Sequence, residues 1–353
     1  MTIKKRIAIK DIAKQLNISQ TTISFVLNGK ADAYGISKAL ETKILTYIEH
    51  IGYVPSKIAQ GLRTGKSKTI GMIVEDISDP FFSSISRIVE QIAYAQGYRV
   101  IFGSSENDPA KAIDLIQNFR NHNVDGFIIA PPPGIDAVVQ QLVDQNFPVV
   151  LFDRSLPGVD CPKVIVNNFE GTAEAINHLI KNGYDKVAMI TLNSQQDQML
   201  DRLNAYQSVM KTHGLNPVVK MVAYDEDKSN VVKVIRSFIK SHKDVNALFF
   251  STNYLAMSGL EALQSMKVDI RKSMGLVVFD DSPYFALFSP SLTAIAQPVP
   301  QIAAEVIGIM LSRLGIDEDH HDHVKVLQTT LVIRDSSSKL MRHTVTNNAH
   351  PIQ

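Results

Sequence analysis

The stretch IKDIAKQLNISQTTISFVLN, residues 9–28, carries two apolar stripes at helical spacing separated by a three-residue break. Ile9, Ile12, Ala13 and Leu16 stand at i, i+3, i+4 and i+7, which places them on one face of a helix of about two turns. Asn17-Ile18-Ser19 interrupts the stripe, and the Ser19 hydroxyl can accept from the free N–H groups that begin a second helix, Gln20 to Leu27. In that helix Ile23, Val26 and Leu27 turn inward. Gln20, Thr21, Ser24, Phe25 and Asn28 are left on a short outer surface rich in hydrogen-bonding groups. A third helix is expected after Ser37, with Leu40, Ile44, Ile48 and Ile51 at three- and four-residue spacing, a stop at Gly52 and Pro55 just beyond. The spacing predicts a tight helix-turn-helix head.

Charge is divided along the chain in the same way. Residues 1–68 hold 12 Lys and Arg against 4 Asp and Glu, a surplus of eight; the other 24 bases and 31 acids leave the remainder seven negative. The near-neutral total of +1 therefore conceals a basic head on an acidic body. Counterion release from phosphates supplies much of the affinity for nucleic acid, so a basic surplus that coincides with a helix-turn-helix points to double-stranded DNA as partner. A basic segment started by Pro55, residues 54–68, follows the head.

From Thr69 onward short apolar runs alternate with amphipathic stretches of helix length. Thr69–Val74, Tyr98–Gly103, Gly126–Ala130, Pro148–Phe152, Val187–Thr191, Ala247–Ser251 and Gly275–Phe279 read as buried parallel strands. Phe82–Gln96, Glu170–Lys181 and Tyr254–Met266 read as crossover helices. The pattern predicts doubly wound parallel sheets with helices on both faces, and the length calls for two such subdomains.

Several runs in consistent order carry a resemblance. IKDIAKQLNISQTTISFVLNGK, Ser37 to Tyr53 and VPSKIAQGLRTGKSKTIGMIV resemble the head and hinge of the lac-repressor-like (LacI) family of bacterial transcription regulators. PFF at Pro80–Phe82, VDGFIIA at Val124–Ala130, FDR at Phe152–Arg154, VFDD at Val278–Asp281 and IAQP at Ile295–Pro298 extend it to about Asp335. The resemblance implies a repressor with a head at 1–54, a hinge helix and linker at 55–68, and a two-lobed periplasmic-binding-protein-like body at 69–335. One lobe would comprise about 69–166 and 298–324, the other 167–296 and 325–335. The chain would cross between them near Asn167, near Gln297 and within Val324–Leu331. A polar tail, residues 336–353, is expected to be largely disordered.

The resemblance also assigns roles. Gln20 and Thr21 would read base edges in the major groove and Phe25 would hold the third reading position, able to make only apolar contacts such as packing on a thymine methyl. Thr22 and Ser24 suit phosphates. Phe25 has the alternative of ordinary helix packing. Ser56 to Arg63 matches the hinge helix and Leu62 its minor-groove wedge, with a plain linker as the alternative. Three departures stand out: Ala8 where an N-cap threonine is usual, Gly61 within the hinge, and an Asn28–Ser37 loop longer than the family pattern.

Ligands of doubly wound sheets bind where strand C-termini meet a crevice. Asp79-Pro80-Phe81-Phe82 follows the first strand, Asp153-Arg154 the fourth, Asn253 the Ala247–Ser251 strand, and Asp280 ends Gly275–Phe279. Arg202 opens RLNAY at the family's effector-arginine position, and Gln297 sits at a lobe crossing. Carboxylates, amides and arginines beside the rings of Phe81 and Phe82 suit a neutral polyhydroxylated effector, a sugar or sugar derivative; a purine is the alternative, since family members with similar frames bind purines.

Catalytic signatures fail. Gly65-Lys66-Ser67 resembles the end of a phosphate-binding loop, but Gln60 stands where the required glycine should be. No dinucleotide glycine pattern or nucleophile elbow occurs, so no enzyme, cofactor or metal is expected. Asp319-His320-His321-Asp322-His323 reads as a solvated loop. Cys161 is the only cysteine, and no apolar segment approaches a membrane span or secretory core. The expectation is a cytoplasmic homodimer. Rival readings are a periplasmic solute receptor, which has no use for such a head, and a sugar-modifying enzyme fused to a DNA-binding module.

Overall fold

A computed structural model describes residues 8–53, 66–224, 227–270, 274–316 and 323–338. The expected hinge, with Ser56, Gly61, Leu62 and Arg63, lies outside the described residues, as do Asp319 to Asp322. The chain divides into two compact units, Met1–Ser67 and Lys68–Gln353.

The first unit holds α1 (Ile9–Leu16), α2 (Gln20–Leu27) and α3 (Lys38–His50). Ile12, Ala13, Ile23, Val26, Ala31, Ile44 and Ile48 form its buried centre, and Ile9, Leu16, Leu27, Ile36, Leu40 and Ile51 pack around them. Asn17 takes the left-handed conformation that ends α1 at φ 55°. Ala8 offers no capping oxygen. The Asp11 carboxylate compensates by accepting from the Ala8 backbone N–H at 2.9 Å, so the first turn keeps half of a capping box.

The second unit contains two six-stranded sheets among the described residues. In the first, β1 (Thr69–Val74), β2 (Arg99–Ser104), β3 (Gly126–Ile129), β4 (Val149–Phe152), β5 (Lys163–Val166) and β11 (Val324–Leu327) run parallel in the order β11-β5-β4-β3-β1-β2. In the second, β6 (Val187–Leu192), β7 (Val218–Val222), β8 (Ala247–Phe250), β9 (Gly275–Phe279), β10 (Thr293–Ala296) and β12 (Thr330–Val332) lie in the order β12-β10-β9-β8-β6-β7. β12 is antiparallel to β10, so this sheet is not wholly parallel as expected. That short strand is entered directly from the other lobe, without a crossover helix to reverse the chain.

Alternate residues of one strand feed different cores. Met72 and Val74 pack beneath α4 (Pro80–Ala95) and α11 (Val299–Arg313), while Ile73 packs beneath α5 (Pro109–Asn121) and α6 (Asp136–Asp144). Leu248 and Phe250 likewise join α9 (Lys228–Ser241) and α10 (Asn253–Ser265), and Phe249 joins α7 (Asn168–Lys181) and α8 (Asp197–Thr212). A strand covered on both faces must be apolar throughout, hence uninterrupted runs such as ALFF at Ala247–Phe250.

The chain passes between lobes at Asn167, at Gln297-Pro298 and at Gln328-Thr329. The third passage corrects the expected boundary after residue 324. β11 pairs with β5 through Leu327, so residues 325–327 belong to the first lobe. The tail expectation also needs correction at its start. Ser336 and Ser337 are buried: Ser336 Oγ donates to the Leu276 carbonyl at 2.7 Å, and Ser337 Oγ lies 2.8 Å from His178 Nε2.

Candidate functional site

Two surfaces gather the polar residues that the fold does not consume. On the head, α2 begins at Ser19, whose Oγ accepts from the Thr22 backbone N–H at 3.0 Å and lies 2.8 Å from Thr22 Oγ1. Gln20 and Thr21 are exposed at the helix start, where the positive end of the helix dipole and free N–H groups favour a polyanion. Thr22 and Ser24 are half-buried and already engaged. Thr22 shares its hydroxyl with Ser19, and the Asn28 amide donates to the Ser24 carbonyl.

Phe25 differs from the bare outward ring that the helical spacing suggests. It is half-buried because Tyr34, from the long loop, stacks on it with ring centroids 3.7 Å apart and planes 7° from parallel.

In the second unit the C-terminal ends of both sheets face one crevice. Asp79 caps α4, its Oδ1 accepting from the Phe81 N–H at 2.7 Å, and Pro80 sets the first helical residue. This turn delivers Phe81, half-buried, to the crevice. Phe82 is 5% exposed and meets Phe152 edge-on, so it serves the core more than an open ligand face. Asp153 and Asp280 each end a strand in the left-handed conformation, at φ 68° and 75°, and that turn aims both carboxylates away from the sheets.

Arg154 is bracketed by carboxylates. Its Nε donates to Asp153 at 2.9 Å and its Nη2 to Glu75 at 2.7 Å. Burial alone would lower its pKa; the two neighbouring charges outweigh burial and raise it. Arg202, 2% exposed, donates from Nε to Asn168 at 2.9 Å and from Nη1 to the Ser251 carbonyl at 2.6 Å, with its guanidinium 3.5 Å above the Phe279 ring. Burial lowers the Arg202 pKa and raises that of Asp280, 3.7 Å away. Gln297 donates to Asp280 at 2.6 Å, while its carbonyl oxygen is buried with no partner among the described residues. Asp79 is pushed up to about 6, first by burial and then by the Asp280 and Glu75 charges.

All eight residues expected to bind a ligand, Phe81, Phe82, Asp153, Arg154, Arg202, Asn253, Asp280 and Gln297, line one pocket between the lobes. Glu75, Gln196, Gln198 and Tyr254 line it as well and were not anticipated. Glu75 directly follows Val74 at a strand C-terminus, the same positional rule that identified Asp153 and Asp280. Contacts cross the crevice: Asn253 Nδ2 reaches Asp79 at 3.5 Å, and Gln196 Nε2 donates to Asn107 at 2.9 Å. The arrangement offers acceptors and donors to a polar ligand. No group of three His, Cys, Asp or Glu among the described residues could hold a metal, and His323 is paired with Asp160 at 2.6 Å. No described helix is long and apolar enough to cross a membrane.

Residues 8–56 match the bacterial regulatory proteins of the lacI family, and residues 176–337 match the periplasmic binding protein-like domain. The HTH-type transcriptional regulator KdgR of Bacillus subtilis is 29% identical over 93% of this chain and 97% of its own length. The ribose operon repressor of Halalkalibacterium halodurans is 28% identical over 93% and 96%. Among solved structures, the lac repressor dimer bound to operator and the anti-inducer ONPF superposes with a TM-score of 0.80 at 18% identity, covering 95% of this chain and all of that one.

Proposed function

We propose that this chain, whose residues 8–56 match the bacterial regulatory proteins of the lacI family, is a DNA-binding transcription repressor whose operator affinity is set by a sugar or sugar derivative held between the two lobes. The observation that carries this reading is an interlobe pocket lined by arginines, carboxylates and amides of both lobes. Its two arginines are already matched: Arg154 by Asp153 and Glu75, Arg202 by Asp280 and two neutral acceptors. With Asp79 added, the lining carries four carboxylates against two guanidinium groups. Such a site opposes a sugar acid or sugar phosphate and favours a neutral polyol, whose adjacent hydroxyls can donate to the carboxylates and to Gln297 and accept from Asn253. A relative named for ribose control supports the same class.

On the head, Gln20 and Thr21 read base edges, with Phe25 further along the same face. Two-fold pairing of protomers would present two heads to a near-palindromic operator. Effector binding changes DNA affinity only by the difference in its affinity for the two body arrangements, typically about 1–3 kcal/mol. A thermal-shift screen of neutral sugars, sugar acids, sugar phosphates and purines on the full-length protein tests the class, because a ligand of the folded state raises its melting temperature. A neutral sugar should shift the melt and change the protein's affinity for its selected DNA site by roughly 5- to 150-fold. A purine or acid as the stabilising class, or a crevice ligand that leaves DNA affinity unchanged, refutes the proposal.

A further inference from the structure

The loop between α2 and α3 is longer than the resemblance leads one to expect, and the structure gives the extra residues a fixed course. At its start the Gly29 and Lys30 N–H groups donate to the Val26 and Phe25 carbonyls at 3.0 and 2.9 Å. Ala31, 1% exposed, is sunk into the head core, and Ile36 packs against the same core. The Ile36 N–H donates back to the Ala31 carbonyl at 2.9 Å, closing a loop whose only projecting part is the turn Asp32–Tyr34 with Gly35 at φ 66°. Lys38 Nζ lies 3.1 Å from both Asp32 and Glu41 and ties the turn to α3. Buried Ala31 and half-buried Ile36 thus hold a short turn against the reading helix.

That turn sets Tyr34 flat on Phe25. Phe25 stands one helical turn after Thr21, so the two share the outer face of α2. Tyr34 nevertheless remains 56% exposed. A tyrosine serving only the core would be buried; this one is immobilised by stacking yet keeps its hydroxyl and much of its ring available to an incoming surface. Immobilisation in advance reduces the entropy lost on binding. One face of Phe25 is covered, and the surface offered in its place includes a hydroxyl that can both donate and accept.

We propose that the third reading position of α2 is this two-ring unit, and that Tyr34 is a specificity-determining contact to a base pair in the major groove. The inference rests on α2 being the helix that enters the groove, as the proposed function has it.

The test is selection from a randomised double-stranded DNA library by the full-length wild type and by Tyr34→Ala, Tyr34→Leu and Gln20→Ala. Tyr34→Ala should lose preference at one base pair of each half-site and bind the wild-type site roughly tenfold more weakly, with random-duplex binding unchanged. Tyr34→Leu keeps an apolar cover over Phe25 without a phenol, and should fail in the same way. The inference is overturned if Tyr34→Ala selects the wild-type motif with wild-type affinity, if it loses affinity equally on random DNA, or if leucine restores the motif, which would make Tyr34 a mere cover. Gln20→Ala separates the two levels. A changed motif for Gln20→Ala beside an unchanged one for Tyr34→Ala rejects only the tyrosine. No change in either rejects α2 as the reader.

Discussion

Asp79→Asn isolates the electrostatic cost of keeping the cavity acidic. The Asp79 carboxyl is raised from 3.8 to about 6 by burial and by the Asp280 and Glu75 charges. Asparagine can accept from the Phe81 N–H as the aspartate does, so the α4 cap survives and only the charge is lost. A gap of roughly two pH units corresponds to about 3 kcal/mol. Asp79 is partly open to solvent, and screening reduces this to about 1–2 kcal/mol. Because the folded protein holds this proton more tightly than the unfolded chain, protonation stabilises the fold. The contribution is complete below pH 3.8 and is lost as pH rises through about 6. The asparagine mimics the protonated state at every pH. The variant should therefore melt higher than wild type at pH 7.5, by about 2–8 °C at roughly 2–4 °C per kcal/mol, and the difference should shrink through pH 6 and approach zero near pH 4. Ligand-free thermal melts of both proteins between pH 4.5 and 8, following the body transition, measure it. Equal melting at pH 7.5, or a difference that does not change with pH, refutes the argument.

Arg154→Met should destabilise the body by about 3–5 kcal/mol in urea unfolding, because Glu75 and Asp153 would be left as buried, uncompensated charges. Adding Glu75→Gln to that variant should recover part of the loss, which checks that charge and not volume is responsible. Cys161 is buried and its thiol is pushed up to about 11 by burial, so it should resist a disulfide thiol reagent at pH 8 in the native protein and react fully in denaturant. Rapid native reaction would show that the loop after β4 opens far more readily than its packing implies.

What could be read from the sequence follows burial. Strands covered on both faces announce themselves as unbroken apolar runs, and β1, β3, β4, β6, β8 and β9 are legible to within a residue or two, as is the partly exposed edge strand β2. Five strands were not signalled: β5 and β10 are interior but only four residues long, too short to stand out as apolar runs, and the other three are edge strands. β7 is half-exposed, β11 alternates between exposed and intermediate positions, and β12 has three residues. Their apolar signal is diluted by lysines such as Lys220 and Lys325. In the crevice the residues at strand ends were legible, because the fold class dictates where such ends point. Their pairing was not: Arg154 meets Glu75 across 79 positions of sequence, a contact that no local pattern signals. Phe25 shows the same limit on a smaller scale, since a helical wheel cannot foresee that a loop nine residues later returns to cover one face of the ring.

Gln297 links these local facts to regulation. It stands on the second of the three crossings, between β10 of one lobe and α11 of the other. Its amide nitrogen is fixed by Asp280, and its buried oxygen lacks a donor among the described residues. A ligand hydroxyl that donates to that oxygen satisfies an acceptor that otherwise carries its full desolvation cost, about 1–3 kcal/mol. The other two crossings are bound to each other: Asn167 Nδ2 donates to Gln328 at 2.7 Å, and its Oδ1 accepts from the Thr329 N–H at 2.7 Å. In the proposed mechanism the lobes would rotate about these three passages, so a contact made on one of them would differ between the two arrangements, whereas a contact to residues within a single lobe would move with that lobe and would not. A ligand that engaged Arg202 and Asp280 alone could bind tightly and still shift no equilibrium. Under the proposed regulation, Gln297 would thus both hold an effector and transmit its binding, whereas Arg202 and Asp280 would only hold it.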